Sequence, residues 1–215
     1  MPLPATPAPP YGTDIYTDIA TQLAGKGWCV TADFVSPSLL HQLATEAMTD
    51  WQAGQFRPAG VGRGADLQLR PEIRTDRVNW LDPMSCSLAQ HAYLLQLEQL
   101  RQAINATLYL GLFDFEGHLA VYPPGSYYRR HRDQFRGVGL RTVTAILYLN
   151  EDWTPDDGGQ LRIYTDPDNP DHHEDVLPLG GRLVTFLSAE FEHEVLPASH
   201  DRLSLTGWFK IRSDR

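Results

Sequence analysis

The run "RLSLTGWFKI", Arg202–Ile211, decides what kind of domain this chain makes. Side chains along a strand alternate between faces, so Arg202, Ser204 and Thr206 share one face and Trp208 continues the row. Upstream lie more runs of strand-like texture: "HLAVY", "TVTAILYLN", "QLRIYT", "RLVTFLS" and "HEVLP", separated by Gly, Pro, Asp and Asn clusters. Before them the texture is helical. Helices first and strands afterwards predict an α+β domain whose strands form a sandwich or barrel.

The first half divides further. Asp14 to Leu23 reads as a short helix ended near Gly25 and Gly27, and "WCVTADF" (Trp28 to Phe34) as a strand. Ser36 or Ser38 can cap a helix to about Trp51, with Leu39, Leu40, Leu43 and Met48 on its apolar face. Gln52 to Thr75 has glycines, prolines and no period, which predicts a long loop. "RVNWL" is a brief strand. Ser85 to Leu108 holds the strongest helical pattern, with Leu94, Leu95, Leu97, Leu100 and Ile104 at three- and four-residue spacing. Residues 1–12 read as a flexible proline-rich tail, and residues 13–215 as one domain with a β-core over about 110–212.

Composition narrows the function. The 215 residues carry a net charge of −9, which argues against a broad nucleic-acid surface. Only Cys29 and Cys86 are present, too few for a disulfide framework or a Cys-rich zinc site, and a reduced cytoplasmic setting is the simplest expectation. No stretch approaches the ~18 apolar residues of a membrane span. "GVGRG" lacks the lysine and Ser/Thr of a phosphate loop.

The chemistry begins in "YYRRHRDQF", Tyr127–Phe135. On a strand, His131 and Asp133 face one side and can share an ion while Arg132 points away. A third ligand must come from elsewhere, and His193 in "FEHEVLP" offers it. Two histidines and one carboxylate on one octahedral face form the triad of non-haem Fe(II) oxygenases, leaving positions for a cosubstrate and O2. H-x-D alone is weak; H-x-D followed by H-x8-R is stronger. A hairpin between His193 and Arg202 would return Arg202 to the pocket floor, where its guanidinium can hold a carboxylate bidentately. An arginine over a metal cavity predicts a dicarboxylate bridging the two, and 2-oxoglutarate has that shape.

With those residues in place, the chain resembles the prolyl-4-hydroxylase branch of the Fe(II)/2-oxoglutarate dioxygenases, above all the hypoxia-inducible-factor prolyl hydroxylases and their bacterial relatives. The resemblance covers about Gly27 to Phe209, through "GWCVTADF", "IRTDRVNWL", "VYPPGSYYRRHRD", "RTVTAILYLNEDW", "DGGQLRIY" and "HEVLPASHDRLSLTGWF". It implies a double-stranded β-helix (jelly roll) supported by N-terminal helices. It implies His131, Asp133 and His193 as iron ligands, and Arg202 and Tyr148 on the distal carboxylate of 2-oxoglutarate. Thr206, Tyr122 and Leu161 fall on cosubstrate-lining positions, and Tyr128, Arg141 and Trp208 around the target proline. Relative to the animal members, the chain is longer between His131 and Tyr148, in the turn "FRGVG". The family precedent further implies a prolyl residue in a protein substrate, such as elongation factor Tu, with release of succinate and CO2 and ascorbate as reductant; a monomer is expected, and charge and hydropathy argue against nucleic-acid and membrane partners.

Without the motif, Tyr122, Tyr148 and Trp208 would read as barrel core and Arg141 as an ordinary strand arginine. His172 and His173 lie in the acidic run "DNPDHHED" and read as a solvated loop, and His200 as part of the hairpin turn. His41, His91 and His118 have no partner pattern and receive no role. "HRD" also occurs in kinase catalytic loops, but the required Asn is Val138 here. Two other functions stay open: hydroxylation of a free amino acid or small metabolite, and a metal-dependent sensor or interaction module without turnover.

Overall fold

The computed structural model describes residues 14–62, 68–133 and 140–212. Its first helix, α1 (Ile15–Lys26), starts at Asp14, whose carboxylate accepts from the Thr17 N–H at 2.8 Å. It runs a turn past the expected end at Leu23 and stops at Gly27, whose left-handed φ of 79° lets its N–H reach the Leu23 carbonyl. β1 (Trp28–Thr31) is shorter than the expected Trp28–Phe34 segment, and Asp33 turns the chain at φ 51°. α2 (Pro37–Gln52) is capped by Ser36, and α3 (Leu88–Leu108) by a Ser87/Gln90 capping box.

The remaining strands are β2 (Arg57–Pro58), β3 (Arg77–Trp80), β4 (Leu112–Tyr122), β5 (Tyr128–His131), β6 (Arg141–Tyr148), β7 (Leu161–Tyr164), β8 (His173–Val176), β9 (Leu183–Leu187), β10 (His193–Val195) and β11 (Arg202–Ile211). They form a major sheet ordered β1-β9-β6-β11-β4-β3-β2 and a minor sheet ordered β5-β10-β7-β8, with the named strands paired antiparallel. Together they make the expected jelly roll.

Strand parity sorts the core into two layers. Leu119, Val121, Val143, Ala145, Leu147, Leu183, Leu203, Leu205 and Phe209 join one apolar cluster with Ile19, Leu23, Leu43, Leu97, Leu100 and Ile104 of the helices. The alternate residues Ala120, Tyr122, Ile146, Tyr148, Val184 and Phe186 join Leu161, Ile163 and Val195 of the minor sheet in a second cluster. The helices therefore back the major sheet, and the site opens on its other face.

Three expectations need correction. Gln52 to Thr75 is not an unstructured loop: Arg57 and Pro58 pair with Val78 and Arg77, and isolated bridges join Val61 to Gln68 and Arg74 to Tyr128. His193 and Arg202 are not joined by a hairpin. β10 lies in the minor sheet and β11 in the major one, so the segment between them crosses from sheet to sheet. "DNPDHHED" is not all loop, since His173 opens β8 opposite Tyr164. The expected tail at 1–12, residues 63–67 of the expected loop and the turn "FRGVG" (135–139) lie outside the described residues.

Candidate active site

A cavity of about 720 Å³ lies between the sheets, and ten of the eleven site residues expected from the sequence line it: His131, Asp133, His193, Arg202, Thr206, Tyr122, Leu161, Tyr128, Arg141 and Trp208. Tyr148 stands behind Arg202 in the same inner cluster. Two paired strands and the end of one of them bring the ligand candidates together. His131 closes β5 and is registered opposite His193 on β10, and Asp133 follows just past the strand end. One donor atom from each lies within 4.8 Å of the others.

The hydrogen bonds around these residues define what they can bind. His131 Nδ1 is 2.7 Å from the Arg129 carbonyl, and His193 Nδ1 is 3.3 Å from the Phe191 carbonyl. A carbonyl only accepts, so each Nδ1 carries the proton and each Nε2 a lone pair. Those Nε2 atoms face the Asp133 carboxylate at 3.5 and 3.7 Å. Burial and the neighbouring His131 lower the His193 pKa to about 4, keeping it neutral at physiological pH. Burial by itself would raise the Asp133 carboxyl, and it is positive charge at the His193 and His131 positions that holds it below the usual range, so with both imidazoles neutral that charge has to come from a cation. Two lone pairs and a carboxylate converging on one point repel unless a cation sits between them. The donor set, two imidazoles and one carboxylate, suits Fe(II).

Neighbours hold the ligands in place. Thr144 Oγ1 donates to Asp133 Oδ2 at 2.8 Å, so Ser188, 2.8 Å from the same hydroxyl, must donate to it in turn. Tyr128 stacks on His131 with ring centroids 3.5 Å apart, and the Arg74 guanidinium covers the Tyr128 ring at 4.1 Å. Arg74 is itself locked by two bonds to the buried Asp76, at 2.7 and 2.5 Å. Burial pushes the Tyr128 hydroxyl up to about 12, so it stays protonated.

At the other end of the cavity lies Arg202, only 1% exposed. Its Nε donates to the Gly159 carbonyl at 2.8 Å, and its guanidinium sits 5.0 and 4.9 Å from the Tyr122 and Tyr148 rings. Among the described residues no carboxylate pairs with it and no hydrogen bond reaches the enclosed Tyr148 hydroxyl. A buried cation of that kind is strongly unfavourable without an anion. The pair forms an anion site facing the triad. "DGGQLRIY" explains the carbonyl: Gly158 and Gly159 have φ of 71° and 69°, and a Cβ on Gly159 would meet Arg202 Cδ at 3.1 Å.

Arg141 stacks on Trp208 at 3.5 Å and pairs with Glu116 at 2.8 Å. The lining residues given no role from sequence include Arg74, His118 and Trp80. His118 was legible in principle, because it shares the β4 parity of Ala120 and Tyr122. His200 is exposed and lies 3.2 Å from Asp157, and His172 is exposed beside Asp166; neither enters the cavity.

Residues 117–210 match the family model of the 2OG-Fe(II) oxygenase superfamily. The chain is similar to human Egl nine homolog 1, 31% identical over 198 residues, which cover 88% of this chain and 45% of the human protein. It thus spans less than half the length of that relative. Among solved structures, a prolyl-4-hydroxylase of Pseudomonas putida is 45% identical with a TM-score of 0.83, the match covering 93% of this chain and 100% of the other. A Trichoplax adhaerens prolyl hydroxylase, solved with a peptide fragment of the hypoxia-inducible-factor oxygen degradation domain, is 27% identical with a TM-score of 0.80, covering 91% of this chain and 89% of that one.

Proposed function

The chain belongs to the 2OG-Fe(II) oxygenase superfamily, and on that premise we propose that it hydroxylates a prolyl residue in a protein substrate. The observation that carries the oxygenase reading is the buried Arg202, without a carboxylate partner among the described residues, facing the His131, Asp133, His193 cluster across one cavity. The proline preference rests on the likeness to the Pseudomonas putida prolyl-4-hydroxylase along that protein's whole length.

The family's Fe(II), 2-oxoglutarate and O2 supply the oxidation, in which 2-oxoglutarate loses CO2 to become succinate and one oxygen atom enters a substrate C–H bond. The residues of this chain do the placing. His131, Asp133 and His193 would hold the metal through Nε2, one carboxylate oxygen and Nε2. Arg202 takes the far carboxylate of 2-oxoglutarate in charge-assisted bonds, with the Tyr148 hydroxyl as a further donor. Thr206, Tyr122 and Leu161 bound that cosubstrate. Tyr128, Arg141 and Trp208 surround the proline, and the described stretches that line the cavity, Arg57 to Gly62 with Ile73 and Arg74, face the peptide. Ascorbate as reductant, a monomeric state and a cytoplasmic setting complete the reading, and among the described residues no helix is long and apolar enough to cross a membrane.

The test is succinate release with Fe(II) and 2-oxoglutarate, with and without proline-containing proteins, followed by mass spectrometry for a proline that gains one oxygen. Elongation factor Tu is the first protein to try. Stimulation by a protein with proline oxidation supports the reading. Stimulation only by free amino acids or small metabolites, or no turnover at all, would overturn it.

A further inference from the structure

His118 lies on β4 opposite Trp80 of β3 on one side and Thr206 of β11 on the other. It is 3% exposed yet lines the cavity. Its ring packs against Trp80, with centroids 4.8 Å apart, and against Trp208 at 5.5 Å. Trp80 is 52% exposed and Trp208 buried, so the imidazole sits where the cavity passes from its mouth to its interior. That is the side away from Arg202, where substrate rather than cosubstrate must enter.

The imidazole has unmet hydrogen-bonding capacity. Its Nδ1 is enclosed without a hydrogen-bond partner among the described residues, and Nε2 is the nitrogen that remains for a ligand in the cavity the residue lines. Burial, reinforced by the positive charges of Arg74 and Arg141 and opposed by Asp133, lowers the His118 pKa to about 3, so the ring is neutral. A neutral imidazole must place its one proton on Nδ1 or Nε2. An enclosed N–H left unpaired is less tolerable than an enclosed bare acceptor. The proton therefore belongs on Nε2, giving a neutral donor held between two indoles. Its natural complement is a neutral acceptor, and a peptide amide carbonyl is that group.

We propose that His118 is a positioning residue for the peptide, donating its Nε2–H to an amide carbonyl of the substrate close to the target proline. The inference rests on the prolyl-peptide reading above. It adds a contact that free proline, lacking a preceding amide, meets less well.

The experiment compares wild type, His118→Met and His118→Gln on short peptides with one central proline, chosen as those the wild type oxidises. Loss of one neutral hydrogen bond should raise the peptide KM of His118→Met about 3- to 10-fold, with the KM for 2-oxoglutarate unchanged. More succinate should form per hydroxyproline. His118→Gln keeps an N–H donor and should recover most of the loss. A wild-type peptide KM in His118→Met, or equal losses in Met and Gln, would reduce His118 to a space-filler and overturn the proposal. A second measurement does not depend on the variants folding. In 15N-histidine-labelled wild type loaded with zinc in place of iron, peptide should shift the His118 Nε2–H resonance downfield, and an unmoved resonance with saturating peptide would also overturn it. Failure of the wild type to oxidise any proline peptide would remove the functional reading itself, and the inference with it.

Discussion

At the residue scale the site sets a buried guanidinium without a carboxylate partner among the described residues across from three converging metal-ligand side chains. His131→Ala or Asp133→Ala should abolish 2-oxoglutarate turnover while leaving the far-ultraviolet circular dichroism unchanged, since neither side chain belongs to an apolar cluster. Turnover near wild type in both would remove the triad. Arg202→Ala should weaken 2-oxoglutarate binding by roughly 2–4 kcal/mol, seen as a KM raised about 30-fold or more, because a charge-assisted contact to an enclosed carboxylate is lost. An unchanged KM would place the cosubstrate elsewhere. His118 gives a pH signature. Its folded pKa is depressed from 6.5 to about 3, so the unfolded chain binds the proton first and stability is lost as pH falls between those values. Urea unfolding of His118→Met should therefore lose less stability than wild type between about pH 7 and pH 4.5. The ligands were legible because their spacing is itself chemical information. Parity on β4 could have put His118 on the cavity face, but its setting between Trp80 and Trp208 was not legible, since these come from strands far apart in sequence.

At the element scale, β11 carries the most constraint, with β4 on one side and β6 on the other. Gly207 on β11 faces Gly117 on β4, and a Cβ on Gly207 would lie 2.3 Å from the Phe115 ring and 2.4 Å from the Glu116 carbonyl oxygen. The second contact is backbone and cannot rotate away. Gly207→Ala should lower stability by about 1–3 kcal/mol, and more if the strands must part; a melting temperature equal to wild type would contradict that close approach. The helices were legible because of their apolar period, joined at α2 by the Ser36 cap. The crossing from β10 to β11 was not, because two nearby strand runs suggest a hairpin and only tertiary pairing assigns them to different sheets. The same limit hid β2 and β8. Each is short, polar and stabilised by its partner rather than by its own pattern.

For the whole molecule, the question is whether the barrel stands without its helices, since the family match spans residues 117–210 while α1 to α3 lie before it. The outer face of the major sheet answers it. Leu119, Val121, Val143, Ala145, Leu147, Leu183, Leu203, Leu205 and Phe209 are each at most 6% exposed, within the cluster that also holds Ile19, Leu23, Leu43, Leu97, Leu100 and Ile104 of the helices. Exposing a large apolar side chain forfeits roughly 1.5–3 kcal/mol. Exposing even half of these sheet residues would consume most of the about 5–15 kcal/mol that holds a typical domain folded. Residues 110–212 expressed alone should therefore be insoluble or lack a cooperative melt, although they contain every proposed metal and cosubstrate residue. In the full chain, Leu100→Ala on α3 should lower stability by about 2–5 kcal/mol in a single transition, carrying the barrel with it. A soluble 110–212 fragment with a sharp melt, or a Leu100→Ala protein in which helices and barrel unfold in separate steps, would mean that the two layers are independent and that the helices do not support the site.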